Sequence, residues 1–410
     1  MTTLDSRPST TTAGAPGPRR DPVRRARIAV SLVFVLHGSV TGTFITRIPW
    51  LQHHLHLSPA QLGIALLCPA VGASLAMPLA SRLVHRFGNR VATQGLLTLW
   101  CLSVGLPALM PNLYPLMAAL LGYGAVAGMA DVAMNAQGVE VEQRLGRSIM
   151  SGLHGMWSVG VLVASGFGVL AAHQQFDPRL QLGITALVLA GLAQTVCTGL
   201  LDLCPAATAE APPRFALPPR SALAVGLLGF CGVFAEGASL DWSGIYLRDV
   251  TGASASIVAA CSTAFAATMT LARLTGDLAI RRFGPVTTVR AGGAVATLGS
   301  TLVVLADRPY LAITGFALIG IGIATIVPLA FAAAGHSGPN PSQSIAGVAT
   351  ITYISGLVAP AVVGGIAQAT SLAVSFGVVT ALAACLVLGA TALRPKPGPA
   401  TGPATGPTED

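Results

Sequence analysis

The chain has 410 residues, of which 53% are apolar and 9% charged, with a formal net charge of +8. Soluble domains carry roughly a quarter charged residues, so this composition excludes an ordinary water-soluble fold. The apolar residues fall instead in repeated blocks of about twenty, the length a helix needs to cross a hydrocarbon layer of about 30 Å.

Met1 to Arg27 is rich in Pro, Ser, Thr and Gly and is expected to be a disordered cytoplasmic tail. Its Arg19, Arg20, Arg24, Arg25 and Arg27 lack the interleaved aromatics of a nucleic-acid patch, so they read as a topology signal and no nucleic-acid partner is expected. The first apolar block is too long for a cleaved signal peptide. Apolar segments are predicted at 28–48, 58–81, 90–110, 113–136, 148–172 and 180–201. After a Pro-rich cytoplasmic linker over 203–220 they resume at 221–246, 254–280, 285–305, 309–334, 343–368 and 371–393, and 394–410 is a second disordered tail. The predicted architecture is an all-α integral membrane protein of twelve transmembrane helices, arranged as two six-helix bundles over 28–202 and 221–393.

The basic residues test that division, because cytoplasmic loops are enriched in Lys and Arg. Of the 23, only Arg47, Arg179, Arg248 and Arg308 fall outside, and Arg273 falls within a span. The rest lie on one side, so both termini are expected in the cytoplasm. A single lysine against many arginines, with abundant Ala and Gly, fits a GC-rich bacterial genome and hence a multi-pass protein of a bacterial inner membrane. Arg86-Phe87-Gly88 after the second segment recurs as Arg282-Phe283-Gly284 after the eighth, the trace of a parallel repeat about the membrane normal.

On these features the chain resembles the major facilitator superfamily over about residues 25–393. The family signature Gly-x-Leu-x-Asp-Arg-x-Gly-Arg-Arg is similar to the stretch from Ser81 to Arg90, with Leu83, Arg86, Gly88 and Arg90 in register and Ser81 and His85 where the family has Gly and Asp. The resemblance implies a cytoplasmic gate at Arg86, Gly88 and Arg90. The second-half copy, Arg273 to Asp277 followed by Arg282-Phe283-Gly284, keeps an acid one turn earlier. Within the superfamily, Asp131 and Asn135 resemble the acid-x-x-x-Asn pattern of the fucose-permease branch of sugar and proton symporters. Gly152-Leu153-His154-Gly155-Met156-Trp157-Ser158 resembles the Asn-Gly-x-Gly-Ser stretch of its fifth helix, with His154 in place of the Asn, and Gly320, Gly322 and Pro328 resemble its tenth.

Ionisable groups at bilayer depth are costly and usually face a polar cavity. Asp131 and Asn135 share a helix face one turn apart, so both can read a substrate hydroxyl or amide, and a cavity that alternately hydrates and pairs Asp131 can load and release a proton. A carboxylate that only packs helix against helix is the alternative. His154 lies at a matching depth and is expected either to pair with Asp131 or to pack. Trp157 can stack on a sugar or anchor packing. Glu236 lies near mid-membrane and is by its depth a candidate for binding substrate or proton, while Asp241 and Trp242 are assigned to the outer gate or the aromatic belt. His37 is a cavity candidate or an interhelical strut. Arg273 and Asp277 have i, i+4 spacing and are expected to pair with each other or with Glu140 and Glu142, forming a gate. Tyr353 can donate to substrate, but is expected to be satisfied by a backbone carbonyl. Gly124/Gly128 and Gly160/Ala164/Gly168 are read as helix-packing positions.

The seven cysteines lack metal-ligand spacing, and nothing resembles a nucleotide loop or a nucleophile triad, so no metal, cofactor, disulfide or enzymatic activity is expected. The expected function is secondary active transport of a small-molecule substrate by a monomer in the lipid bilayer, coupled to protons and directed at a sugar-like solute. Alternatives are proton-antiport efflux of an amphipathic compound, and a non-transporting sensor or scaffold.

Overall fold

The computed structural model describes residues 22–57, 59–202, 220–253, 255–336 and 341–394. The linker over 203–219 and most of both tails lie outside the described residues, among which every regular element is helical. In chain order these are α1 (Pro22–Ile45), a short α2 (Ile48–His54), α3 (Pro59–Phe87), α4 (Asn89–Ser103), α5 (Leu113–Leu145), α6 (Met150–His173), α7 (Pro178–Cys197), α8 (Arg220–Asp249), α9 (Ala255–Val304), α10 (Pro309–Ile323), α11 (Ile326–Gly335), α12 (Pro341–Ala369) and α13 (Leu372–Gly389). Helix α1 begins at Pro22, earlier than the apolar block. A proline suits a helix's first turn, where its missing N–H has no intrahelical partner, and Arg24, Arg25 and Arg27 extend the helix as an exposed basic collar.

Ten spans among the described residues are long and apolar enough to cross a membrane. Helix α9 carries the eighth and ninth apolar segments on either side of a bend at Gly284, where φ is 78° and ψ is 164°. The internal repeat reappears there as backbone geometry. Gly88, at the matching place between α3 and α4, has φ 77° and ψ 152°, a region closed to side chains with a Cβ. The preceding residues repeat as well, with the Arg86 guanidinium 5.3 Å from the Phe87 ring centroid and Arg282 5.6 Å from that of Phe283.

In the first half α1 packs on α6 and α3 on α5; in the second α8 packs on α12 and α10 on α9. Lipid supplies no hydrophobic drive between helices, so these pairs rely on close backbone approach. A Cβ on Gly124 would meet the backbone of Pro69, and one on Gly160 the backbone of Val35. Gly124→Val must therefore separate α3 from α5, since no flexible side chain can yield. The expected result is a loss of stability of about 1–3 kcal/mol, read as a lower melting temperature in detergent. An unchanged melting temperature contradicts the packing assigned to this pair.

Candidate functional site

A cavity of about 480 Å³ lies between the two halves. Its polar groups come from His37 and Thr41 on α1, Trp100 on α4, Tyr123 and Asp131 on α5, His154 and Trp157 on α6, Glu236 on α8, Arg273 on α9 and Tyr353 on α12, while Phe44, Ile45, Ile48, Leu66, Val233 and Leu240 make apolar walls. Its lining runs from Asp131 and Arg273 to Ile45, at the end of α1 away from its basic collar, and Ile48, at the start of α2.

Asp131 is 6% exposed and joins the halves. Asn135 Nδ2 donates to its Oδ1 at 3.1 Å, and Tyr353 Oη donates to its Oδ2 at 3.1 Å from across the cavity. It has no ion pair among the described residues. Since the Asn135 amide nitrogen faces Asp131, its Oδ1 faces His154 and accepts from Nε2 at 3.2 Å. The imidazole then presents Nδ1 as an acceptor, and its ring is held between Phe34 and Phe331. His154 thus meets Asn135, not Asp131. Tyr353 corrects the expectation of a backbone carbonyl: its partner is the carboxylate.

His37 is a strut. Its Nδ1 accepts from Trp157 Nε1 at 3.1 Å, which leaves Nε2 to donate to Ala127 O at 3.4 Å, and its backbone carbonyl accepts from Trp100 Nε1. Both ring nitrogens are engaged, and the hydrogen bond fixes the edge of Trp157 while its face borders the cavity.

On the other wall Arg273 Nη2 bonds Glu236 at 2.9 and 3.1 Å, and Nη1 donates to Ser158 Oγ at 3.3 Å. The i, i+4 spacing suggested an Arg273–Asp277 pair; the two instead act at different places. Asp277 Oδ1 accepts from Ser148 Oγ at 2.9 Å and from Ser151 N at 3.1 Å, and its Oδ2 accepts from Gly152 N at 2.8 Å. An acid of the second half thereby caps the first turn of α6 in the first half. Glu142 takes the two preceding amides, Ile149 N at 2.8 Å and Met150 N at 3.0 Å. The orphan N–H groups of α6 are divided between a carboxylate of its own half and one of the other. Ser151 Oγ to Arg273 O, Arg281 to Ser148 O and Gln143 to Gly335 O close the same end.

Other sequence-derived gate residues stand apart from this latch. Glu140 pairs with Arg144 at 2.7 Å and not with Arg273, Arg90 lies 4.0 Å from Asp202, and Arg86 is exposed. Asp241 is exposed on α8, while Trp242 buries its Nε1 against the region of Gly364 with no hydrogen-bond partner. Ser148 and Ser151 carried no sequence signal, being ordinary small polar residues until the two halves meet, whereas Ser158 was marked only as the Ser that closes the Asn-Gly-x-Gly-Ser-like stretch.

A family model described as Major Facilitator Superfamily matches residues 30–353. The chain is 33% identical over 368 residues to an uncharacterized MFS-type transporter of Yersinia pestis, covering 90% of this chain and 95% of that protein. It is also 33% identical over 368 residues to an uncharacterized transporter of Sinorhizobium fredii, covering 89% and 97%. Among solved structures it is similar to the fucose:proton symporter FucP of E. coli, with a TM-score of 0.72 at 17% identity over 92% of this chain and 100% of that one.

Proposed function

The chain belongs to the Major Facilitator Superfamily, a family of transporters, and on that premise we propose that it is a proton-coupled carrier of a small hydroxylated solute. It works as a monomer in a bacterial inner membrane, with its arginine-rich end and both termini in the cytoplasm and twelve spans, α9 supplying two. The observation that carries this reading is the Asp131 cluster: a carboxylate on the cavity wall, buried, free of any ion pair among the described residues, and bonded to groups of both halves. Such a carboxylate can exchange a proton with the cavity, and its hydrogen bond to Tyr353 makes the fit between halves depend on that proton. Alternating access then follows from breaking the Asp277 latch as the other end closes. The likeness to a fucose and proton symporter supports a sugar-like solute.

The apolar walls favour a second reading, export of an amphipathic compound in exchange for protons. Thermal unfolding of the detergent-purified protein against monosaccharides, amino acids, nucleosides and lipophilic cations separates the two, because a ligand bound only by the folded state raises the melting temperature. About 2.7 kcal/mol of stabilisation is expected at a ligand concentration a hundred times its Kd. Stabilisation by a monosaccharide is the expected result; stabilisation by lipophilic cations alone overturns it in favour of export.

A further inference from the structure

We infer that the transported solute carries a protonated amine beside its hydroxyls, and that this amine and the coupling proton compete for Asp131. The inference rests on the proposed role of Asp131 as the proton site. It follows from counting what the cavity leaves free.

Most of the strong donors that border the cavity are engaged. Arg273 gives Nη2 to both oxygens of Glu236 and one Nη1 hydrogen to Ser158, while its Nε is buried without a partner among the described residues. Trp157 gives its N–H to His37, and Tyr353 gives its O–H to Asp131. The acceptors are not exhausted. Each oxygen of Asp131 accepts one hydrogen bond from a side chain and keeps a lone pair, and His154 keeps Nδ1. The hydroxyls of Thr41 and Tyr123 can donate or accept. The free acceptors thus include a carboxylate, a group that a charged donor on a ligand suits best.

The charges point the same way. Asp131, Glu236 and Arg273 are the carboxylates and guanidinium on the described wall, and Arg273 already balances Glu236. The groups that bond Asp131 from the packed helices are Asn135 and Tyr353, with His154 behind Asn135 and no cation paired to Asp131 among the described residues, while α3 and α11 contribute Ala73, Met77 and Val327 to the wall. One negative charge is therefore left for a proton or for a ligand cation, and an anionic solute finds no free partner. When a proton binds Asp131, it becomes a neutral acid and the ammonium leaves with its charge unchanged. One cation replaces one proton, so the exchange moves no net charge.

The test uses the purified wild-type protein with three pyranoses that differ in charge, glucosamine, glucose and glucuronate, titrated by thermal unfolding from neutral to acidic pH. Glucosamine is expected to bind most tightly, with affinity falling by up to about tenfold per pH unit as the proton displaces it. Glucose should bind more weakly and without that slope, and glucuronate least. Asp131→Asn should bring glucosamine down to the level of glucose, while its cooperative unfolding shows that the fold survives. Equal binding of glucose and glucosamine overturns the amine but leaves the proton role of Asp131 standing. No stabilisation by any of the three overturns the hydroxylated-solute reading as well.

Discussion

Replacing Asp277 by Ala is expected to open the arginine-rich end of the protein. In the closed form this one carboxylate accepts from Ser148 Oγ, Ser151 N and Gly152 N across the boundary between halves, with Arg281 reaching Ser148 O beside it. Hydrogen bonds to a charged group contribute about 1.5–3 kcal/mol each, and a buried amide left unsatisfied costs about 1–3 kcal/mol. These contributions overlap, so a net change of about 3 kcal/mol is a fair expectation, a shift on the order of 100-fold between closed and open populations. The amides can be hydrated once the end is open, which is why the loss falls on closure and not on α6 itself. Spin labels at positions 147 and 282, exposed on opposite halves, read the change as a distance distribution. The Ala protein should show a longer, broader distribution, and Asp277→Asn, which keeps one acceptor oxygen, a smaller shift. Identical distributions in all three proteins contradict the latch.

Asp131→Asn is expected to uncouple transport. Asparagine keeps the shape of a protonated aspartate but cannot release a proton, so it holds the site in one state. An oxygen remains to accept from Tyr353, so the contact between halves persists. With one proton moved per solute, a gradient of one pH unit sustains about a tenfold solute ratio across the membrane. The variant should lose that accumulation and still exchange labelled for unlabelled solute. Accumulation at the wild-type ratio removes Asp131 from the coupling step.

Much of the architecture was legible because bilayer constraints are written in one dimension. Apolar block length and the side on which arginine falls located the spans, and the repeated Arg-Phe-Gly marked two backbone breaks that only glycine tolerates. The face of α5 was legible for the same reason: positions 131 and 135 are one turn apart, and Asn135 does bond Asp131. What was not legible depends on how one half registers against the other. Tyr353 lies 222 positions from Asp131, and no periodicity on α12 says which residue meets α5. Spacing also misled at Arg273 and Asp277. A helix places them one turn apart, yet one long side chain turns into the cavity to Glu236 while the shorter one caps α6, because a carboxylate buried beside free amides is held by them without a salt bridge. His37 was read by depth as either a cavity group or an interhelical strut; it lines the cavity, and only the Trp157 and Ala127 bonds reveal that its ring also ties helices together.

The coupling itself is best tested in proteoliposomes that enclose a pH-sensitive dye, with the solute that raises the melting temperature most added outside. Wild-type protein should move protons as the solute crosses, and Asp131→Asn should carry solute with a silent dye. Solute flux that leaves the dye silent in the wild type, or a dye response preserved in Asp131→Asn, contradicts proton coupling at this carboxylate.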